Sequence, residues 1–139
     1  MSTEVNKNIV RRCYEEVHNL GKQDLLKEIA VEDYVEHNPF PGHGQGLAGF
    51  YQRVETLQSA FRMNFTVEDM IAEGDKVVVR WTNHSVHHGP FMGIPATGKS
   101  ATVSGIDIHL LRNGKLAEHW DVVDTLSLLQ QLGAIPQPN

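Results

Sequence analysis

Only one cysteine, Cys13, occurs in the 139 residues, which excludes an internal disulfide and a stapled secreted framework. Basic residues are in deficit: 12 Lys and Arg against 17 Asp and Glu give a formal net charge of −5. No basic run and no basic–aromatic interleaving relieves that deficit, so no nucleic-acid partner is expected. No apolar run approaches the roughly 18 residues of a membrane span, and the first residues, Met-Ser-Thr-Glu-Val-Asn, lack a signal-peptide core. A cytoplasmic location without membrane contact is the expectation. The common site motifs are missing too. There is no His-Glu-x-x-His pair or cysteine cluster for a metal, no Gly-x-Ser-x-Gly elbow for a nucleophile, and no strand-linked glycine loop for phosphate.

What is present fits one domain over residues 1–139, with 40% hydrophobic residues and enough length for a real core. Ile9, Val10, Cys13, Tyr14, Val17 and Leu20 follow helical spacing and predict a helix over 4–20, capped by Ser2 or Thr3 and ended by Gly21. His18 near its end reads as a surface residue favoured by the helix dipole. Asp24 can cap a short second helix whose inner face is Leu25, Leu26, Ile29 and Ala30. Residues 33–46, rich in Gly and Pro, read as a loop, either a plain linker or a pocket rim supplied by Tyr34, His37 and Asn38. Leu47, Phe50, Tyr51, Val54, Leu57 and Phe61 predict a third helix over 46–61. From Met63 the period switches to two. Strands are expected at 63–67, 77–86, 99–111 and 115–122, then a helix capped by Asp124 with Leu126, Leu129 and Leu132 inside. Helices first and strands after mean α+β, with a curved, mainly antiparallel sheet packed on the N-terminal helices.

The most informative stretch runs from Gly105 to Asp121 across the turn Asn113-Gly114. A two-residue loop would put Asp107 on the face of Trp120. A three-residue loop with Gly114 left-handed, setting Leu111 opposite Lys115, collects Asp107, His109, His119 and Asp121 on one face. The other face is then Ile106, Ile108, Leu110, Leu116, Trp120 and Val122, with Glu118 as the exception. This second register separates polar from apolar residues better and is the expected one. The polar face either meets water or lines a pocket while the apolar face meets another subunit; periodicity leaves both open.

Eight histidines raise the question of a metal, yet only Asp107, His109, His119 and Asp121 offer a plausible ligand set, and no metal site is expected. What remains is acid–base work by a carboxylate. An Asp in a partly dry cavity has its pKa raised and can take a proton from carbon beside a carbonyl, while a His or Asn donates to the enolate oxygen. Asp121, flanked by His119 and near Asp107, suits the base role.

The stretches Tyr34-Val-Glu-His-Asn-Pro39, Ile71 to Thr82, Phe91-Met-Gly-Ile-Pro-Ala-Thr-Gly98, Gly105-Ile-Asp-Ile and Glu118-His-Trp-Asp-Val-Val-Asp124 resemble the SnoaL-like polyketide (ester) cyclases of the NTF2-like superfamily. The resemblance implies a cone-shaped α+β barrel, a homodimer or homotetramer, cofactor-free chemistry on a hydrophobic small molecule, and a pocket behind the polar face. It implies that Asp121 is the acid/base of an intramolecular aldol closure; Asp107 and His119, beside it on the polar face, are the expected catalytic partners. Tyr34, His37, Asn38, Phe50, Trp81 and His109 are the expected substrate contacts. A histidine is expected where this chain has Asp107, and two close carboxylates tend to share a proton. Epoxide opening and ligand binding without turnover are the alternatives.

Overall fold

The computed structural model describes residues 2–137. Ser2 caps the first helix, α1 (Thr3–Arg12), its hydroxyl accepting from the Val5 amide at 3.1 Å. Glu4 lies in the first turn and Arg11 and Arg12 in the last, each at the dipole end that favours its charge. The helix continues as a wider π-helical segment, Cys13–His18. Leu20, expected on the inner stripe, is 64% exposed because helical periodicity has ended before it. Asp24 sits inside a 3-10 turn, Gln23–Leu25, and caps nothing; α2 is the short Leu26–Ile29.

Ala30 begins a strand, β1 (Ala30–Glu36), where the sequence suggested the close of a helix and then a loop. Tyr34 and Glu36 point inward and Val35 outward. The inward glutamate breaks the apolar alternation by which strands are recognised. Helix α3 (Gly46–Ala60) falls where helical spacing put it. Strands β2 (Phe61–Glu73), β3 (Lys76–His87), β4 (Ser100–Arg112) and β5 (Lys115–Val123) form the meander, and α4 (Thr125–Gln131) follows. Asp124 caps α4 through the Ser127 amide. Of its expected inner residues Leu132 is buried, Leu129 is half-buried and Leu126 is exposed, while Leu128 is buried in Leu126's place.

The five strands make one sheet in the order β1-β5-β4-β3-β2. β1 runs parallel to β5 and the other neighbours are antiparallel. The sheet is curved and unclosed, with β1 and β2 as edges. Register shifts interrupt β1, β2 and β5, and bulges of this kind bend a strand. Helix α1 packs over β2 and β3, and α3 over β1. Val10, Val17, Leu26, Ile29, Val54, Val77, Val79 and Leu116 are fully buried between these layers. Among the described residues no helix is long and apolar enough to cross a membrane.

The β4–β5 hairpin reaches the expected facing by a different route. Arg112 pairs with Lys115, so the loop has two residues, and Asn113 and Gly114 both take positive φ (53° and 74°) as a type I′ turn requires. Leu111 then pairs with Leu116, and the next pair is Leu110 with Glu118. Ala117 is the extra residue of a bulge. Beyond it Asp107 faces Asp121 and His109 faces His119. The two-residue loop sets Leu116 opposite the inward Leu111, where it is fully buried, so it does not belong to the outer apolar face.

Gly105 is a steric requirement of this arrangement. A Cβ there would meet Cζ2 of Trp81 at 2.2 Å, because the indole lies across the strand at that position. Gly105→Ala is therefore expected to cost about 1–3 kcal/mol of stability. A thermal melt within one degree of the parent would contradict this account of the indole's seat.

Candidate active site

The inner face of the sheet, the π-helical segment, α3 and α4 line a cavity of about 380 Å³. Its walls are largely apolar, with Phe50 and Leu57 from α3 and Met63 and Phe65 from β2. Phe40 and Phe91 from two loops also line it and meet edge to face at 5.8 Å. Into this apolar space β1, β4 and β5 project one ionic cluster.

His119 is its centre. Nδ1 lies 2.8 Å from both oxygens of Glu36, and Nε2 lies 3.4 Å from Oδ1 of Asp107. Burial lowers an imidazole pKa, but bonds and charge from Asp107 and Glu36 outweigh it and raise His119 to about 9. It is an imidazolium at neutral pH. Burial likewise pushes Asp107 up, and the bond and charge of His119 overcome it, holding Asp107 down at about 2. Glu36 is also lowered: burial opposes the shift, and His119 and then Arg53 produce it.

Tyr14, from the π-helical segment, donates its hydroxyl hydrogen to Oδ2 of Asp107 and sits 2.7 Å from Nε2 of His109. The tyrosine has one proton to give. Nε2 of His109 must therefore carry the hydrogen and donate to the tyrosine oxygen, leaving Nδ1 as a bare acceptor without a partner. Burial, then the neighbouring His119 charge, lowers His109 to about 3, so it is neutral.

Asp121 stands directly across the ladder from Asp107 but has different partners. Arg53 on α3 donates from Nη2 to Oδ2 of Asp121 at 2.8 Å, and from Nη1 to the Asn38 carbonyl at 3.0 Å. Its guanidinium also lies 4.2 Å from the Phe40 ring centre. The Asp121 amide donates to Oδ1 of Asn38 at 3.0 Å. Burial raises the Asp121 pKa, against Arg53 and His119, which lower it. Asp107 and Asp121 do not share a proton, as adjacent carboxylates often do, because His119 and Tyr14 hold Asp107 ionised.

Of the expected residues, the inner face brings together Asp107, His109, His119 and Asp121, with the first three only 6%, 3% and 7% exposed. The polar face therefore lines a pocket instead of meeting water. Tyr34, Asn38, Phe50 and Trp81 also line it, Tyr34 and Phe50 packing ring to ring at 4.4 Å. His37 does not. It follows the inward Glu36, so its side chain falls on the outer side, stacked on Trp120 at 4.3 Å and 2.8 Å from Glu118. His18, expected on the surface, lines the cavity against Phe65, and burial lowers it to about 4. Sequence reading missed Tyr14, Glu36 and Arg53. Tyr14 hid within an apolar helical stripe and Arg53 on the nominally polar side of α3. The Glu36-His37 pair carried no periodic signal to say which of the two points inward.

Asp107, His109 and His119 bring potential ligand atoms within 4.8 Å of one another. A cation there would compete with the proton that His119 holds between two carboxylates, and with the Tyr14 bonds to Asp107 and His109.

A family model described as SnoaL-like polyketide cyclase matches residues 8–132. The chain belongs to the SnoaL-like polyketide cyclase family. It is 34% identical over 142 residues to the aklanonic acid methyl ester cyclase DnrD of Streptomyces peucetius, covering 96% of this chain and 92% of that one. It is 31% identical over 122 residues to the nogalonic acid methyl ester cyclase of Streptomyces nogalater, covering 83% and 88%. The solved structure of TsrD from Streptomyces laurentii superposes with a TM-score of 0.89 at 31% identity, covering 97% and 99%. Membership makes this chain an enzyme of the cyclase type with an NTF2-like fold.

The cluster predicts how stability depends on pH. His119 is raised in the folded chain, so its contribution is full below its ordinary 6.5 and is lost as pH rises through about 9. Asp107 is depressed, so its contribution is full above 3.8 and is lost as pH falls through about 2. Urea unfolding followed from about pH 5 to 10 is expected to show stability declining on the alkaline side. His119→Gln should remove that decline; an unchanged alkaline slope in the variant would contradict the assignment.

Proposed function

We propose that this cyclase-family member transfers a proton on a hydrophobic carbonyl compound without a cofactor, with Asp121 as the base, and so closes a ring by an aldol-type addition. The observation that carries this reading is the division of labour between two facing aspartates. Asp107 is tied by His119 and Tyr14 and kept ionised, while Asp121 has its pKa raised and only one oxygen bonded to Arg53. A carboxylate of raised pKa in an apolar cavity is the better proton acceptor from carbon.

In this reading the carbon between two carbonyls loses its proton to Asp121. The enolate carbon adds to a second carbonyl carbon of the same molecule, and the new alkoxide takes the proton back from Asp121. One C–C bond forms and no redox partner is needed. Oδ1 of Asn38 is occupied by the Asp121 amide, which leaves its Nδ2 hydrogens free to donate to the enolate oxygen. His119 and Asp107 act at one remove, fixing the charge around the base. The names of the relatives, methyl ester cyclases of aklanonic and nogalonic acid, support a polyketide-like ester as substrate.

The test is deuterium incorporation into a panel of 1,3-dicarbonyl compounds in heavy water, read by mass spectrometry. Wild-type protein should accelerate exchange above background, and Asp121→Asn should reduce it by about a hundredfold or more while retaining the fold. Comparable exchange in Asp121→Asn would remove Asp121 from the role. Incorporation of labelled water oxygen into product would favour epoxide opening instead.

We also propose a cytoplasmic homodimer or homotetramer. The outer sheet face exposes Ile106 and Val122 beside the half-buried Ile108, Leu110 and Trp120. A contiguous patch of that kind is better covered than left in water. Sedimentation at micromolar concentration should give at least twice the monomer mass, and Val122→Glu should shift it toward monomer. A monomeric wild type counts against the assignment.

A further inference from the structure

The cavity's polar atoms fall into two groups. Those from β1, β4 and β5 belong to the ionic cluster, and its two buried atoms without a hydrogen bond, Asp107 Oδ1 and His109 Nδ1, are acceptors. On the β3 side stands Trp81, which lines the cavity at 6% exposure and whose Nε1–H has no hydrogen-bond partner among the described residues. His18, on the same Phe65 ring, lines the cavity with Nδ1 equally unpartnered. An indole nitrogen only donates. Left without an acceptor, that buried N–H is a desolvation cost that a phenyl ring in the same seat would avoid.

The indole is also held still. It lies over the bare backbone of Gly105, whose missing Cβ makes room for it, and Phe65 packs against it edge-on at 5.1 Å. Trp81 pairs with Gly105, two residues from Asp107 on the same face. One strand over and two residues along is about 8 Å between Cα positions. Asp121 lies one strand further still, on β5 opposite Asp107, so a donor fixed on β3 is placed to read a different part of the same molecule.

We propose that the β3 wall is a recognition subsite in which the Trp81 Nε1–H, with His18 beside it, donates to a carbonyl or hydroxyl oxygen on the ring system of a flat substrate. The subsite selects oxygenated polycyclic substrates over hydrocarbon-like ones of the same shape and sets which end of the molecule meets Asp121. This deepens the cyclase reading and rests on it for the identity of the second end.

The test uses 9-fluorenone and fluorene, a flat tricyclic pair differing at one carbon, C=O against CH₂. In ¹⁵N-labelled full-length protein, the Trp81 indole resonance should move downfield with the ketone and not with the hydrocarbon. The Trp120 indole, on the outer face, should hold still with both. Calorimetry should show the ratio of the two dissociation constants moving about tenfold against the ketone in Trp81→Phe, the worth of one hydrogen bond. Equal movement of the Trp81 resonance with both compounds, no binding of the ketone up to its solubility limit, or an unchanged ratio in Trp81→Phe would overturn the subsite. Asp121→Asn should keep the ketone preference. Preference without catalysed exchange in the wild type would therefore sink the cyclase reading and leave the subsite standing, and exchange without preference would do the reverse.

Discussion

One proton, held on His119 between Glu36 and Asp107, organises the cavity. Two carboxylates and an imidazole taken out of water separately would each carry a large desolvation cost. Together the imidazolium offsets one of the two carboxylate charges and attracts both groups, with each ring nitrogen facing an acceptor. Such a cluster is weak evidence for stability, since an apolar core of the same volume often does as well. Its consequence is polarity of a fixed kind. The carboxylates around His119 are kept ionised, and the third carboxylate, Asp121, is left with one arginine and a raised pKa. Three acids and two fixed cations leave a charge of −1 around the cavity, and the proton-accepting group is the acid that His119 does not bridge.

That charge pattern depends on strand register. If β5 continued from its turn without the bulge at Ala117, every side chain beyond it would change face, and His119 and Asp121 would point outward. The hairpin combines a tight I′ turn, which suits the twist of the strands, with one inserted residue that restores the facing. The π-helical segment does similar work on the other side, presenting both Tyr14 and His18 to the cavity from a helix otherwise packed in the core. Glu36 completes the set from β1, the strand that runs parallel to β5 and brings a distant part of the chain beside His119. The site is thus assembled from irregularities in regular elements.

The same geometry gives the cavity unlike walls. On the β4–β5 side the buried atoms left without a hydrogen bond, Asp107 Oδ1 and His109 Nδ1, are acceptors; on the β3 side the unpartnered atom of the rigid indole, Trp81 Nε1, is a donor. Charge chemistry and substrate recognition are thereby separated across the sheet, with β4 between Trp81 on β3 and Asp121 on β5, in a cavity lined by aromatic side chains.

Much of this was legible in the chain itself. Periodicity located α3 and the four meander strands, because period-two and period-3.6 patterns follow directly from backbone geometry. Polar–apolar sorting put Asp107, His109, His119 and Asp121 on one face, and the quoted motifs identified the family. Periodicity could not place this face in a cavity, since a polar face in water and a polar face in a pocket have the same spacing; the family resemblance implied the pocket and tertiary structure shows it. Tertiary structure alone decided the rest. It revealed β1, whose inward Glu36 looks like a surface residue until His119 arrives from 83 positions away. It assigned Arg53 to Asp121, 68 residues distant, and turned His37 outward onto Trp120. Local sequence determines what each element is, because dihedral preference and burial pattern are local. Which charges meet is set by long-range packing, and in this protein the meeting of charges decides which acid can take a proton.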